Sequence, residues 1–307
     1  MRAVVVGMGV QGRKRLTLAG SDAVATVDPV ADSVDYRSIQ DVPVDTYDAA
    51  IVCTPDDAKS EILEYLLSHR KHIMVEKPLL LDEPDQYLRL QQVCDEAGTA
   101  CYTAYNHRFE PNIVRLKELL ETNVLGEIYT ARLFYGNGTA QDVIDSPWRD
   151  QGDGVLPDLG SHLLDLVLFL LGPVSGEFEP WSMRSFETQS FDHVLFGSKG
   201  TPFLELAATH LSWKNSFSVD ILAEKGSAHL HGLCKWGPST LTMRSRVFPS
   251  GVPHEEIQTA EGADPTWALE YDYFRGLCKT GGNNLGNDIW INDTLAQIAN
   301  PVGAQRA

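Results

Sequence analysis

Hydrophobic positions in the first third of the chain fall in short unbroken runs, at 3–6, 24–27, 49–53, 72–75 and 99–105. Runs of that length, bounded by turn residues, read as strands buried on both faces. Between them the spacing turns helical. Ile62, Leu63, Leu66 and Leu67 mark one helix over 56–69, and Leu88, Leu90 and Val93 another over 82–97. Strands alternating with helices predict a parallel sheet covered on both faces, with ligands at the carboxyl ends of its strands. The rhythm lapses over 29–47, a polar, acidic stretch broken by Pro29 and Pro43 with only weak helical character. Near residue 106 the pattern changes. A helix over 112–123 leads into period-two segments at 128–136, 193–196, 203–211, 217–222, 228–233 and 240–248, the mark of an antiparallel sheet with one covered face. One strong helix interrupts them, at 158–171, stopped by Gly172-Pro173, and two more close the chain near 266–278 and 288–299. The reading is α/β followed by α+β: a parallel-sheet domain at 1–105, and a second domain at 106–307 built on an antiparallel sheet.

Composition narrows the partners. The 307 residues are 43% hydrophobic, enough for a substantial core, and carry a formal net charge of −17. A polyanion would be repelled, so nucleic acid is excluded as an expected partner. Five scattered cysteines without C-x-x-C spacing read as reduced thiols in a cytoplasmic protein, with no zinc or other metal site. A strand from residue 2 predicts no signal peptide, and the most apolar run, 159–171, is too short to span a bilayer and contains His162 and Asp165.

The first strand runs straight into Gly7, Gly9 and Gly12, spaced G-x-G-x-x-G, with a helix expected from about Val10. Strand, glycine turn and helix form the dinucleotide-binding fingerprint. The first glycine permits the turn, the second lets backbone approach a pyrophosphate, and the third lets helix and strand pack. The pyrophosphate then rests on the free N–H groups around Val10 and Gln11. Asp28, ending the second strand, stands where an acid receives the ribose hydroxyls. The other strand ends are Thr54-Pro55 and Glu76-Lys77-Pro78.

Lys77, at such an end, has the chemistry to hydrogen-bond a substrate hydroxyl, with Glu76 to hold or tune it. Spacing alone leaves that reading level with an ordinary surface Glu–Lys pair. Asp158 and His162, four apart at a helix start, share one face, and a carboxylate beside an imidazole is a workable proton acceptor. By spacing alone, a capping acid and a satisfied core histidine is the simpler account. His229 and His231 point to one strand face, but no third metal ligand is near; His210 and Trp213 read as sheet packing, and Glu270 as part of a solvated helix face.

Taken together, Gly7-Met8-Gly9-Val10-Gln11-Gly12, Thr54-Pro55, Glu76-Lys77-Pro78, Tyr105-Asn106-His107-Arg108-Phe109, Trp148-Arg149 and the stretch from Gly152 to Asp158-Leu159-Gly160-Ser161-His162 resemble the Gfo/Idh/MocA oxidoreductase family. The resemblance covers nearly the whole chain. It implies a Rossmann domain followed by an α/β domain with a large open sheet that commonly joins subunits, hence a homodimer or homotetramer. It implies that Lys77 is catalytic, with a cis Lys77–Pro78 peptide, that His162 takes the hydroxyl proton, and that Asp158 orients it or binds substrate. Asn106 and Arg108 would line nicotinamide and substrate, Trp148 and Arg149 would belong to a closing loop, and Asp28 would favour NAD over NADP.

The pattern also departs from the family's. Asp56 and Lys59 replace the usual Asn and His after Thr54-Pro55, Gly152-Asp153-Gly154 replaces three glycines, and the segment after Asp28 is short by a helix. The activity implied is hydride transfer between nicotinamide and a secondary hydroxyl of a sugar, cyclitol or nucleotide sugar. An NAD-retaining glycoside hydrolase and a non-catalytic NAD(H) sensor are the competing readings; intact Lys77, Asp158 and His162 argue against the sensor.

Overall fold

The computed structural model describes residues 1–81, 83–146 and 149–300. The chain folds as two compact units: Met1–Asn106 together with Thr266–Asn292, and His107–Pro265 together with the chain from Asp293.

The first unit opens with β1 (Ala3–Val6), α1 (Val10–Ala19), β2 (Ala23–Val27), β3 (Ala49–Val52), α2 (Asp56–Ser68), β4 (His72–Glu76), α3 (Pro84–Ala97) and β5 (Ala100–Ala104). Asp82, where the third helix was expected to begin, lies outside the described residues. The strands pair in parallel in the order β5-β4-β3-β1-β2. Every residue of β1, β3 and β5 is buried, as unbroken apolar runs require. Leu63, Leu66 and Leu67 of α2 join Val4, Val6, Val52, Ile73 and Val75 in one core. No α-helix forms between β2 and β3. Pro43 and the acidic residues leave only the 3-10 turns Ile39–Asp41 and Val44–Thr46, and Asp35 folds the segment back by accepting from the Thr26 backbone and hydroxyl, both at 2.8 Å.

The second unit carries α4 (Pro111–Glu121), β6 (Ile128–Gly136), α5 (Ala140–Ile144), a π-helical turn at Leu156–Gly160, α6 (Ser161–Leu171) and β7 to β13 (Phe178–Arg184, His193–Ser198, Phe203–Thr209, Ser216–Ala223, Gly226–His231, Ser239–Ser245, His254–Ala260). Its eight strands lie in the order β13-β12-β11-β10-β6-β9-β8-β7. Only the central β6–β9 pair is parallel; the other neighbours are antiparallel. Alternation places Leu133, Val194, Phe196, Leu204, Leu206, Val219 and Ile221 in the core with Leu163, Leu164 and Val167 of α6. The opposite face is more polar and includes the Arg132–Glu205 pair at 2.6 Å.

The last elements are α7 (Thr266–Thr280), the two-residue strand β14 (Gly282–Asn283) and α8 (Leu285–Ala299). Through Asn292 they belong to the first unit, where β14 adds a sixth strand beside β5. A single division at 105/106 therefore differs from the compact units by this returning segment. Tyr271 and Phe274 of α7 are buried, as their spacing on one face suggests, but so is Glu270, which the sequence places on a solvated face.

Candidate functional site

The cofactor-type residues all lie in the first unit. Gly7 has φ +88°, and a Cβ there would come within 2.7 Å of the Cys53 carbonyl oxygen. At Gly12 a Cβ would meet the Gly7 carbonyl oxygen at 1.8 Å, so a hydrogen is all the helix–turn contact admits. Gly9 is different: nothing lies within 4 Å of a Cβ built there. It precedes α1, whose N-terminus has no side-chain cap and no acid in its first turn, and Val10 is 74% exposed. The turn is thus closed on the protein side and open outward, where free N–H groups and the helix dipole favour a phosphate.

Asp28 ties this turn to the end of β2. Its Oδ2 accepts the Met8 N–H at 2.7 Å, and its Oδ1 accepts those of Val30 and Ala31 at 2.9 and 2.7 Å. Burial works against its charge, but the backbone donors of Ala31, Met8 and Val30 outweigh it and hold the carboxyl below its usual range. Beside it, Arg37 is engaged with the Ala31 carbonyl at 2.7 Å. The Thr54 hydroxyl, at the end of β3 and followed by Pro55, is buried and makes no hydrogen bond among the described residues. An orphaned buried hydroxyl, an open glycine and an uncapped helix together fit a dinucleotide.

Glu76 ends β4 and is bound to Arg15 rather than exposed beside Lys77. Arg15, 1% exposed, holds Glu76 at 2.6 Å and Glu270 at 2.8 Å, and lies 4.3 Å over the Trp267 ring. Burial pushes Glu270 up to about 7 despite the pull of Arg15, with Glu76 adding to the rise. Lys77 follows, half-buried, and its peptide to Pro78 is cis. Lys59, only 2% exposed, reaches under this segment. Its Nζ donates to Asp56 Oδ1 at 2.6 Å, to the Glu76 carbonyl at 2.8 Å and to the Pro78 carbonyl at 2.6 Å. Asn106 is buried and donates to the Thr266 hydroxyl at 2.9 Å.

The second unit gathers a different set. His162 stacks on His107 with centroids 4.2 Å apart and planes 19° from parallel, and meets the edge of Tyr135 at 5.8 Å. His107 Nε2 lies 3.0 Å from Lys235 Nζ, and that ammonium sits 4.4 Å over the Trp236 ring. An ammonium can only donate, so this contact makes Nε2 the acceptor and leaves the His107 proton on Nδ1. Asp158, in the π-helical turn, pairs with His210 Nε2 at 3.3 Å and Arg149 at 3.5 Å. Burial and the Asp158 charge push the Tyr135 phenol upward, so it stays a neutral donor.

Tyr135 links the two sets, meeting the His162 ring and feeling the Asp158 charge, and a π turn at Leu156–Gly160 replaces the α-helical start expected between Asp158 and His162. Arg108 does not project as an unengaged cation. It grips buried Asp165 through two nitrogens at 2.8 and 2.5 Å. Trp148 lies outside the described residues. His107, Tyr135, Lys235 and Trp236 are the members that sequence spacing did not single out together; they come from β6, the turn after β5 and the loop after β11, and only the sheet joins them. Among the described residues no group of three or more His, Cys, Asp or Glu side chains is arranged to hold a metal ion, and no helix is long and apolar enough to cross a membrane.

Residues 1–105 match the family model described as an oxidoreductase family with an NAD-binding Rossmann fold, and residues 113–229 match that of the GFO/IDH/MocA C-terminal domain. Among characterised relatives, D-glucoside 3-dehydrogenase of Escherichia coli is 27% identical over 209 residues, 60% of this chain and 58% of that protein. Myo-inositol 2-dehydrogenase of Thermotoga maritima is 27% identical over 127 residues, 41% of this chain and 36% of that one. The match thus spans less than two thirds of either relative's length. The crystal structure of an oxidoreductase from Desulfitobacterium hafniense, described as NADPH-dependent, superposes with a TM-score of 0.82 at 18% identity, covering 97% of this chain and 94% of that one; this likeness is one of fold. With both parts of its architecture matched in order, the chain belongs to the Gfo/Idh/MocA oxidoreductase family, and its first part is an NAD-binding Rossmann fold.

Proposed function

We propose that the protein is an NAD-dependent dehydrogenase that oxidises a secondary hydroxyl of a sugar or cyclitol. The single observation that carries this is the glycine turn, closed inward at Gly7 and Gly12 and open outward at Gly9, in a chain that also keeps Lys77, Asp158 and His162. The sugar and cyclitol dehydrogenases among its relatives support the substrate class.

In this reading Gly7, Gly9, Val10, Gln11 and Gly12 hold the pyrophosphate, Asp28 the adenosine ribose, and Thr54, Pro55, Glu76, Lys77 and Asn106 the nicotinamide side. Negative charge at Asp28 disfavours a 2′-phosphate, so NAD is preferred to NADP. When bound, the dinucleotide supplies the hydride acceptor. The protein does the rest. His162 accepts the hydroxyl proton at a ring nitrogen. Lys77 Nζ donates a hydrogen bond to the reacting oxygen and stabilises the negative charge that develops there. Asp158 and Arg149 bind neighbouring hydroxyls, and Arg108 supports the site by fixing Asp165 midway along α6. A homo-oligomer and a cytoplasmic setting complete the proposal.

The test is kinetic. His162→Asn and Lys77→Met are each expected to lower kcat by about 10²–10⁴-fold, the usual worth of a positioned acid or base, while NADH binding stays nearly unchanged. Full turnover in either variant contradicts its role.

A further inference from the structure

We infer that Lys59 is a positioning residue for Lys77, and that it acts through the main chain. This rests on the reading of Lys77 as catalytic. Lys59 stands one turn into α2, on the stretch where this chain departs from its family's pattern. Its ammonium has three protons and three acceptors at hydrogen-bond distance: Asp56 Oδ1 on its own helix, the Glu76 carbonyl and the Pro78 carbonyl. The last two are the carbonyls of the residues on either side of Lys77. One buried cation thus clips the peptide segment on both flanks of Lys77.

The arrangement is costly unless it is useful. A charge held at 2% exposure is stable only when paired and fully hydrogen-bonded. Asp56, 46% exposed on its side chain, supplies the countercharge, and the two carbonyls supply the remaining acceptors. A loop following a strand has few ways to fix its carbonyls. Here α2 fixes them, and the first turn of α2 anchors the clip through Asp56. Glu76 is held independently on its side-chain end by Arg15. The segment before Lys77 is therefore gripped twice, by a cation on its carboxylate and by a cation on its carbonyl. Position matters because a displacement near 1 Å can cost about a hundredfold in rate.

The experiment compares wild type, Lys59→Met and Lys77→Met. Three quantities are read: NADH binding by fluorescence, the reactivity of Lys77 to trace acetic anhydride against the surface Lys199, and kcat on myo-inositol and methyl β-D-glucopyranoside. In Lys59→Met, Lys77 labelling is expected to change about threefold or more and kcat to fall about a hundredfold, with the NADH dissociation constant within about threefold of wild type. If the single variant does not fold, Asp56→Asn/Lys59→Met, which removes the countercharge as well, takes its place. Wild-type labelling and turnover in the Lys59 variant overturn the inference, as does a loss of NADH binding in step with kcat, which marks a merely structural residue. Full turnover in Lys77→Met is a different failure: it removes the catalytic reading of Lys77 itself. If neither polyol is oxidised by wild type, the labelling alone decides.

Discussion

Gly9 and Gly12 lie three residues apart and answer to different forces. A methyl group at Gly12 would strike the Gly7 carbonyl oxygen, so Gly12→Ala is expected to lower the melting temperature. At Gly9 a methyl meets open space and φ is −68°, comfortable for any residue. Gly9→Ala should therefore melt like wild type yet bind NADH about tenfold or more weakly, because the methyl would fill the space proposed for the pyrophosphate. A Gly9→Ala protein that binds normally would show that the opening serves no ligand. Residues that work by backbone shape, such as these glycines, were legible from spacing because the chain itself supplies the geometry, and Asp28 was legible from its place at the end of the second strand. His107, Tyr135 and Lys235 were not. His107 and Tyr135 become meaningful only when the fold brings their rings to His162, and Lys235 when it meets His107, and no local period records those meetings. Lys59 shows the same limit: the sequence marks it as a substitution, and only the fold shows which carbonyls it reaches.

At the scale of elements, α7 carries an acid that behaves unlike a surface carboxylate. Glu270 is raised from 4.5 to about 7, with burial the largest cause. A carboxylate whose pKa is raised by folding binds protons on folding. It leaves stability untouched below the unfolded pKa and costs stability as pH rises from about 4.5 through 7, by up to about 3 kcal/mol once fully ionised. Glu270→Gln should consequently gain on wild type as pH rises, the difference in melting temperature widening between pH 5 and pH 8. A difference independent of pH would contradict the assignment. Helical spacing placed Glu270 outside because it counts faces, not partners; Arg15 of α1 and Trp267 make that side of α7 an interior one. Besides the two-residue β14, two strands of the antiparallel sheet escaped the pattern for related reasons. The edge strand β13 is exposed along nearly its whole length, so neither face is apolar, and β7 shifts register between Pro180 and Ser182, which breaks the alternation. The core strands β1, β3 and β4 were plain because burial on both faces needs an unbroken apolar run.

For the whole molecule, two ordered architectures carry two kinds of chemistry. The parallel sheet offers an open glycine turn, a carboxylate at the end of β2 and an orphaned Thr54 hydroxyl. The antiparallel sheet gathers His107, Tyr135, Asp158, His162 and His210 at one end of its central strands. A net charge of −17 leaves no general attraction for anions, so any affinity for a dinucleotide must be local to that turn. The most direct test of the central claim is therefore titration of the purified protein with NADH and with NADPH, followed by nicotinamide fluorescence. Saturable NADH binding is expected, about tenfold or more tighter than NADPH, if Asp28 receives the adenosine ribose as proposed and its negative charge repels a 2′-phosphate. Tighter NADPH binding would contradict the role given to Asp28, and no binding of either would contradict the dehydrogenase itself.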